Sequence, residues 1–259
     1  MFIISMSSAI SKILFLSALM SLFSVVSDAA AIKTMMVRYQ SGQDTVSAYM
    51  AIPEATGKHP ALIVIHEWWG LTDWIKQDAR NFARKGYLAL AIDLYRGKLA
   101  SDPSQAYRLM VSVPRERAVT DLESAFEYLR TMKNVDASRI GVIGWCMGGS
   151  YSFIAATHLP GLAACVIDYG NVDTTTAGVA SIHCPVLCNF AGLDNTYTPA
   201  MGKTFAGAMR ASGKRIEFYE YPDVNHAFMN PNNTSGYSEI ESRVAWRRIY
   251  TFLHKYLWR

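Results

Sequence analysis

The sequence predicts an α/β fold in which a mostly parallel central sheet carries helices on both faces. Three observations lead there. The runs Ala61-Leu62-Ile63-Val64-Ile65 and Tyr87-Leu88-Ala89-Leu90-Ala91-Ile92 are continuously apolar, as strands covered on both sides must be. Helical stretches separate the runs, so strand and helix alternate to the end of the chain. With 259 residues, 51% hydrophobic and 18% charged, the chain can bury a large core in a single domain of this class.

Residues 1–31 are expected to be a signal peptide and 32–259 the domain. After Lys12, residues 13–26 form an uncharged apolar run, shorter than the roughly 20 residues that span a bilayer. Small residues at Ala29-x-Ala31, or alternatively Ser27-x-Ala29, offer a cleavage site; a retained membrane anchor is the other reading. Cleavage removes Lys12 and Asp28 together, so the net charge stays at +4. The expected location is therefore periplasmic or secreted.

Residues 34–39 and 45–52 alternate as an antiparallel hairpin around the turn Ser41-Gly42-Gln43-Asp44. The strand at 61–65 leads into a helix over 74–85, patterned through Trp74, Ile75, Phe82 and Ala83 and ended by Gly86. The strand at 87–92 completes a β-α-β unit. A helix over 115–132 places Leu122, Ala125, Phe126 and Leu129 on one face before the strand at 140–143. Further strands are expected near 163–168, 186–191 and 215–220, with helices over 149–157, 199–212 and 238–257. No repeat or linker interrupts the pattern.

Charge is spread without a basic block, so composition argues against nucleic acid as a partner. Cys146, Cys165, Cys184 and Cys188 include no C-x-x-C pair. Cys184 and Cys188 would stand about 13 Å apart along a strand, too far to bridge, so buried thiols are the expectation. His66-Glu67-Trp68-Trp69-Gly70 begins like a zinc-protease motif but has glycine where the second histidine must stand. Gly141-x-x-Gly144 lacks dinucleotide-binding spacing, and no Gly-Lys-Ser/Thr phosphate loop occurs.

The most informative stretch is Ile140-Gly141-Val142-Ile143-Gly144-Trp145-Cys146-Met147-Gly148-Gly149-Ser150. An apolar strand runs through Gly-x-Cys-x-Gly-Gly into a helix, the pattern of a nucleophile elbow with cysteine at its apex. Tiny residues two positions either side let strand and helix approach, and the helix N-terminus favours a thiolate and an oxyanion. A base is expected at His226, in the loop after the last strand, and an acid at Asp194, after Gly192-Leu193; this is the chain order nucleophile, acid, histidine. Asp168 also ends a strand and is the alternative acid. His66 ends a strand too, and a hydrogen-bonding role in its loop is the simpler reading.

Through His66-Glu67-Trp68-Trp69-Gly70, Asp93-Leu94-Tyr95-Arg96, Gly144-Trp145-Cys146-Met147-Gly148-Gly149, Gly192-Leu193-Asp194 and His226-Ala227-Phe228, the chain resembles the dienelactone hydrolase (carboxymethylenebutenolidase-like) family of α/β-hydrolases. The resemblance covers almost the whole mature chain. It implies the α/β-hydrolase fold, Cys146 as nucleophile, His226 as base and acid, Asp194 as orienter, and Glu67 as a group that contacts and helps activate the resting thiol. It also implies an oxyanion hole from the N–H groups of Trp68 and Met147. The implied chemistry is ester or lactone cleavage through a thioester, with no metal or organic cofactor. Family members that cleave dienelactone hold its carboxylate with arginines; one such position is Asn230 here, and Arg96 stands one place early for the other. With Trp68, Trp69, Tyr95 and Phe228 expected at the substrate, a hydrophobic ester is the anticipated ligand.

The expected partner is thus a small-molecule ester or lactone, for a monomer or homodimer free of the membrane after cleavage. Substrate contacts are assigned to Trp69, Tyr95, Arg96, Phe228 and Asn230. Two other functions fit the same residues: a non-catalytic binding protein on a hydrolase scaffold, and a redox-sensing thiol at Cys146 resolved by Cys165 or Cys188.

Overall fold

The computed structural model describes residues 31–258, apart from the side chain of Thr176. The expected signal peptide lies, but for Ala31, outside the described residues. Eight strands form one sheet in the order β1-β2-β4-β3-β5-β6-β7-β8. The hairpin β1 (Ile32–Ser41) and β2 (Asp44–Pro53) joins antiparallel to β4 (Leu88–Ile92), and every pair from β4 onward is parallel. The remaining strands are β3 (His59–Ile65), β5 (Val135–Trp145), β6 (Ala164–Asp168), β7 (Val186–Ala191) and β8 (Ile216–Tyr221).

Apolar continuity in β3 and β4 reflects burial from both sides. On one face, α1 (Asp73–Arg84) and α7 (Glu239–Leu257) pack Ile75, Phe82, Ile249 and Leu253 against the sheet. On the other, α3 (Arg115–Thr131), α4 (Met147–His158) and α6 (Pro199–Ala211) contribute Leu122, Ile154 and Phe205. The hairpin closes on Asp121 of α3, a buried carboxylate that accepts from Ser41 Oγ at 2.5 Å and from both terminal nitrogens of Arg96 at 2.8 Å.

Two helices were not expected. In α2 (Pro103–Val111), Asp102 accepts from the N–H of Gln105 at 2.8 Å and proline opens the first turn, a complete start signal. Only Ala106 of that helix is buried, so it has no apolar stripe to read. The five-residue α5 (Thr176–Ala180) is capped by Thr175, which accepts from Gly178 N. Strand β5 begins five residues before the apolar run because Asp136 folds onto Ser138 N at 3.0 Å, giving a polar start. Among the described residues no helix is long and apolar enough to cross a membrane.

The chain runs from β3 outward to β4, then returns to β5 on the other side of β3. Order reverses between β3 and β5, and ligands of open α/β sheets bind beyond the carboxyl ends at such a point.

Candidate active site

The site forms where β3, β5, β7 and β8 end. Cys146 follows β5 with φ 55° and ψ −117°, a strained conformation for a residue with a side chain. Its N–H donates to Asp168 O at 3.0 Å, and its carbonyl accepts from Ser150 N at 3.1 Å, so strand and helix clamp the apex. The elbow needs its glycines. A Cβ on Gly144 would lie 2.3 Å from Gly148 O, and one on Gly148 would lie 2.3 Å from Ile65 O.

The other members arrive on loops. The loop after β7 buries Asp194, whose Oδ1 accepts from Thr196 N and Tyr197 N at 2.8 and 3.0 Å. Its Oδ2 accepts a hydrogen bond from His226 Nδ1–H at 2.6 Å. The loop after β8 turns sharply at Ala227 (φ 59°), and Asn233 Nδ2 donates to His226 O at 3.1 Å. The rings of Tyr169 and Tyr197 lie 5.2 and 5.5 Å from the imidazole. Burial disfavours the imidazolium, yet hydrogen bonds to Asp194 and Cys146 outweigh it and raise the pKa of His226 to about 10. Asp194, although desolvated, is lowered by the same histidine and its two N–H donors.

The sign of the resulting pH dependence follows from linkage. Raised above 6.5, His226 contributes stability that is full below 6.5 and is lost as pH climbs through about 10. Asp194 contributes above 3.8 and loses its contribution as pH falls through its lowered folded value. The melting temperature should therefore fall between pH 7 and about 10. His226→Ala should flatten that limb; equal slopes in both proteins would refute the coupling.

Glu67, just past β3, is buried. Its Oε2 accepts from Asn230 Nδ2 at 2.6 Å, whereas Oε1 has no hydrogen-bond partner. Burial raises its pKa to about 7 against the opposing effects of Asn230, His226 and Tyr169. In this arrangement the thiol is engaged by His226 and Glu67 by Asn230. Trp68 follows in a turn whose peptide is anchored by Tyr95, the phenol donating to Trp68 O at 3.0 Å. Met147 opens α4, so its N–H is among the first-turn donors a helix leaves free.

A cavity of about 470 Å³ opens over Cys146 and His226, walled by Glu67, Trp68, Trp69, Asn230 and, unexpectedly, by Thr72, Asn232, Asn233 and Thr234. Three expected substrate contacts are not on its wall. Tyr95 lies beneath Trp68 as a support. Phe228 is fully buried against Tyr169 and Tyr221. Arg96 sits at φ 55° in a turn closed by Asp93, which accepts from Tyr95 N and Gly97 N, and this throws its guanidinium onto Asp121. Arg96→Ala should cost about 2 kcal/mol, a fall in melting temperature of roughly 5 °C, and leave kcat/KM nearly unchanged. A large loss of turnover without loss of stability would put the arginine back at the substrate.

Asp168, the alternative acid, lies away from His226. It accepts from Asn189 Nδ2 at 2.7 Å, its other oxygen has no partner, and burial raises its pKa to about 8. His66 has the simpler role. Nε2 accepts from Leu94 N at 3.2 Å, so Nδ1 carries the proton donated to Glu67 O at 2.6 Å. All four cysteines are buried and free. Cys165, Cys184 and Cys188 belong to the core beneath α4 and α6, and burial raises their pKa values; Cys146 belongs to the opposite side.

A parallel sheet with an elbow after one strand, an acid after a later one and a histidine after the last defines an α/β-hydrolase. Residues 46–257 match the model of the dienelactone hydrolase family, and the chain belongs to that family. It is accordingly a hydrolase of the carboxylic ester and lactone class. A Salmonella typhi protein named "Putative carboxymethylenebutenolidase" is 30% identical over 241 residues, covering 87% of this chain and 88% of that one. Protein usf of Aquifex pyrophilus is 30% identical over 229 residues, covering 86% and 98%. The crystal structure of a "Putative Dienelactone Hydrolase" from Klebsiella pneumoniae superposes with a TM-score of 0.79 at 27% identity, over 87% of this chain and all of the other.

Proposed function

We propose that the protein cleaves a small ester or lactone through a Cys146-His226-Asp194 triad and a thioester intermediate. The observation that carries this reading is His226, bonded through Nδ1 to Asp194 Oδ2 at 2.6 Å, lining one cavity together with Cys146 at the apex of the elbow. The Cys146–His226 pair reacts with its proton on the imidazole, and the thiolate sulfur attacks the carbonyl carbon. The carbonyl oxygen becomes an oxyanion facing the N–H groups of Trp68 and Met147. When it collapses, the C–O bond breaks and His226 gives its proton to the departing alcohol oxygen. Water, deprotonated by His226, then attacks the thioester; the C–S bond breaks, and acid and free thiol are released. Asp194 holds the ring with Nε2 towards the sulfur and stabilises the imidazolium. The N-terminal pattern supports action after export.

Nothing favours the redox reading, because the three other thiols lie across the sheet from Cys146. The test is acid quenching during turnover of para-nitrophenyl acetate, followed by peptide mass mapping. One acetyl group on Cys146, released by hydroxylamine, is the expected result. A label on any other residue, or turnover in protein fully alkylated at Cys146, would end the proposal.

A further inference from the structure

We infer that the cavity takes the ester or lactone of an uncharged polyol, a sugar ester or sugar lactone being the form that fits its walls. This rests on the hydrolase reading above and names its substrate class.

The cavity was expected to be largely apolar and aromatic, yet two of the four expected aromatics are not on its wall and further polar side chains are. Asn233 and Asn230 are held, to His226 O and to Glu67, but Thr72, Asn232 and Thr234 make no side-chain hydrogen bond among the described residues. Thr72 occupies the N-cap of α1, where threonine ordinarily accepts from the first turn, and here it makes no cap hydrogen bond. Asn232 is fastened through its backbone N–H to Asn230 Oδ1 at 2.9 Å, which leaves its amide unengaged. Thr234 lines the same rim. Beneath them Glu67 is 2% exposed, with Oε2 taken by Asn230 and Oε1 without a partner.

Such a wall selects by what it would leave unpaired. An apolar substrate would strip water from the hydroxyl and amide groups of Thr72, Asn232 and Thr234 and return nothing, a cost borne by each polar group it covers. Hydroxyl groups on a substrate supply partners for Thr72, Asn232 and Thr234. A carboxylate meets no lysine or arginine among the described wall residues, the charge of His226 is already matched by Asp194, and Glu67 is itself acidic. The indoles of Trp68 and Trp69, set at 65° with centroids 5.2 Å apart, offer flat apolar faces to the C–H side of a ring whose rim is polar.

The test compares kcat/KM of the full protein on matched pairs: an acetylated methyl glucoside against cyclohexylmethyl acetate, and gluconolactone against valerolactone. An acetylated methyl glucuronoside supplies the anionic arm, and para-nitrophenyl acetate reads the hydrolase activity by itself. In at least one pair the hydroxylated member should be preferred by about 10-fold or more, and the pair that shows it tells ester from lactone. The glucuronoside should be slower than the glucoside by about 10-fold. Thr72→Val and Asn232→Ala should each reduce the preference about 3- to 10-fold. Equal or faster turnover of both deoxy partners, a faster anion, or an undiminished preference in both variants would overturn the inference. Failure on every substrate including para-nitrophenyl acetate would overturn the hydrolase reading instead.

Discussion

Cys146→Ala should lower turnover of a small aryl ester by roughly 10⁴-fold or more, and His226→Ala should cost nearly as much. The double variant should be little worse than either single one. Nucleophile and base act as a unit, so once the sulfur is gone a positioned imidazole has nothing to activate. The residual rate would come from binding and from the N–H groups of Trp68 and Met147, which neither substitution touches. Alkylation gives the same answer without mutation. Cys165, Cys184 and Cys188 are shut in the opposite core with pKa values raised by burial, so iodoacetamide should modify one thiol and remove activity in proportion. Steady-state kinetics of the three variants checks the first claim, and mass spectrometry of partly alkylated enzyme checks the second. Additive losses in the double variant, or activity surviving stoichiometric alkylation, would show that the two residues do not share a step.

The residues of this constellation were legible because each rests on a local rule. An apolar strand followed by Gly144-x-Cys146-x-Gly148 can scarcely be anything but a tight strand-to-helix turn, and the alternation of strand and helix then fixes which loops lie at the same end of the sheet. The order of Cys146, Asp194 and His226 supplied the rest. Side-chain direction was not legible. Arg96, Tyr95 and Phe228 are all near the site in sequence terms, but the turn closed by Asp93 points Arg96 at Asp121, and packing draws Phe228 under the sheet's end. Asp194 was preferred to Asp168 on sequence, and the structure supplies the geometry behind that preference. Both follow strands, and only the loop after β7 brings a carboxylate to Nδ1 of His226. The polar wall was missed because Thr72, Asn232 and Thr234 look like ordinary cap and loop residues until their hydrogen bonds are counted. Helix α2 escaped for the opposite reason: its cap was plain, but burial of Ala106 alone leaves no periodic trace.

Gly148→Ala should be among the most damaging single methyl groups in the protein for stability. The new Cβ would stand 2.3 Å from Ile65 O and 2.7 Å from His66 O, both backbone atoms. Ile65 cannot give way, since β3 is paired on both sides, with Ile65 opposite Ile92 of β4 and Gly144 of β5. Relief requires lifting α4 from the sheet, and with it the apolar contacts of Ile154 and Phe153. A cost above about 4 kcal/mol is expected, lowering the melting temperature by roughly 10 °C or more. Gly207→Ala is the control. Gly207 lies inside α6, and a methyl group there would meet nothing within 4 Å, so alanine should stabilise by about 0.5–1 kcal/mol through helix propensity. Thermal melts of the two variants decide the matter, and a Gly148→Ala protein melting within a degree or two of the parent would show the contact to be soft. Function follows the same geometry. The approach of Gly148 to the end of β3 sets the Met147 N–H beside the turn that carries the Trp68 N–H. Any Gly148→Ala protein that does fold should therefore lose turnover while its Cys146 still alkylates, because the two N–H groups proposed for the oxyanion would be parted while Cys146 and His226 remained.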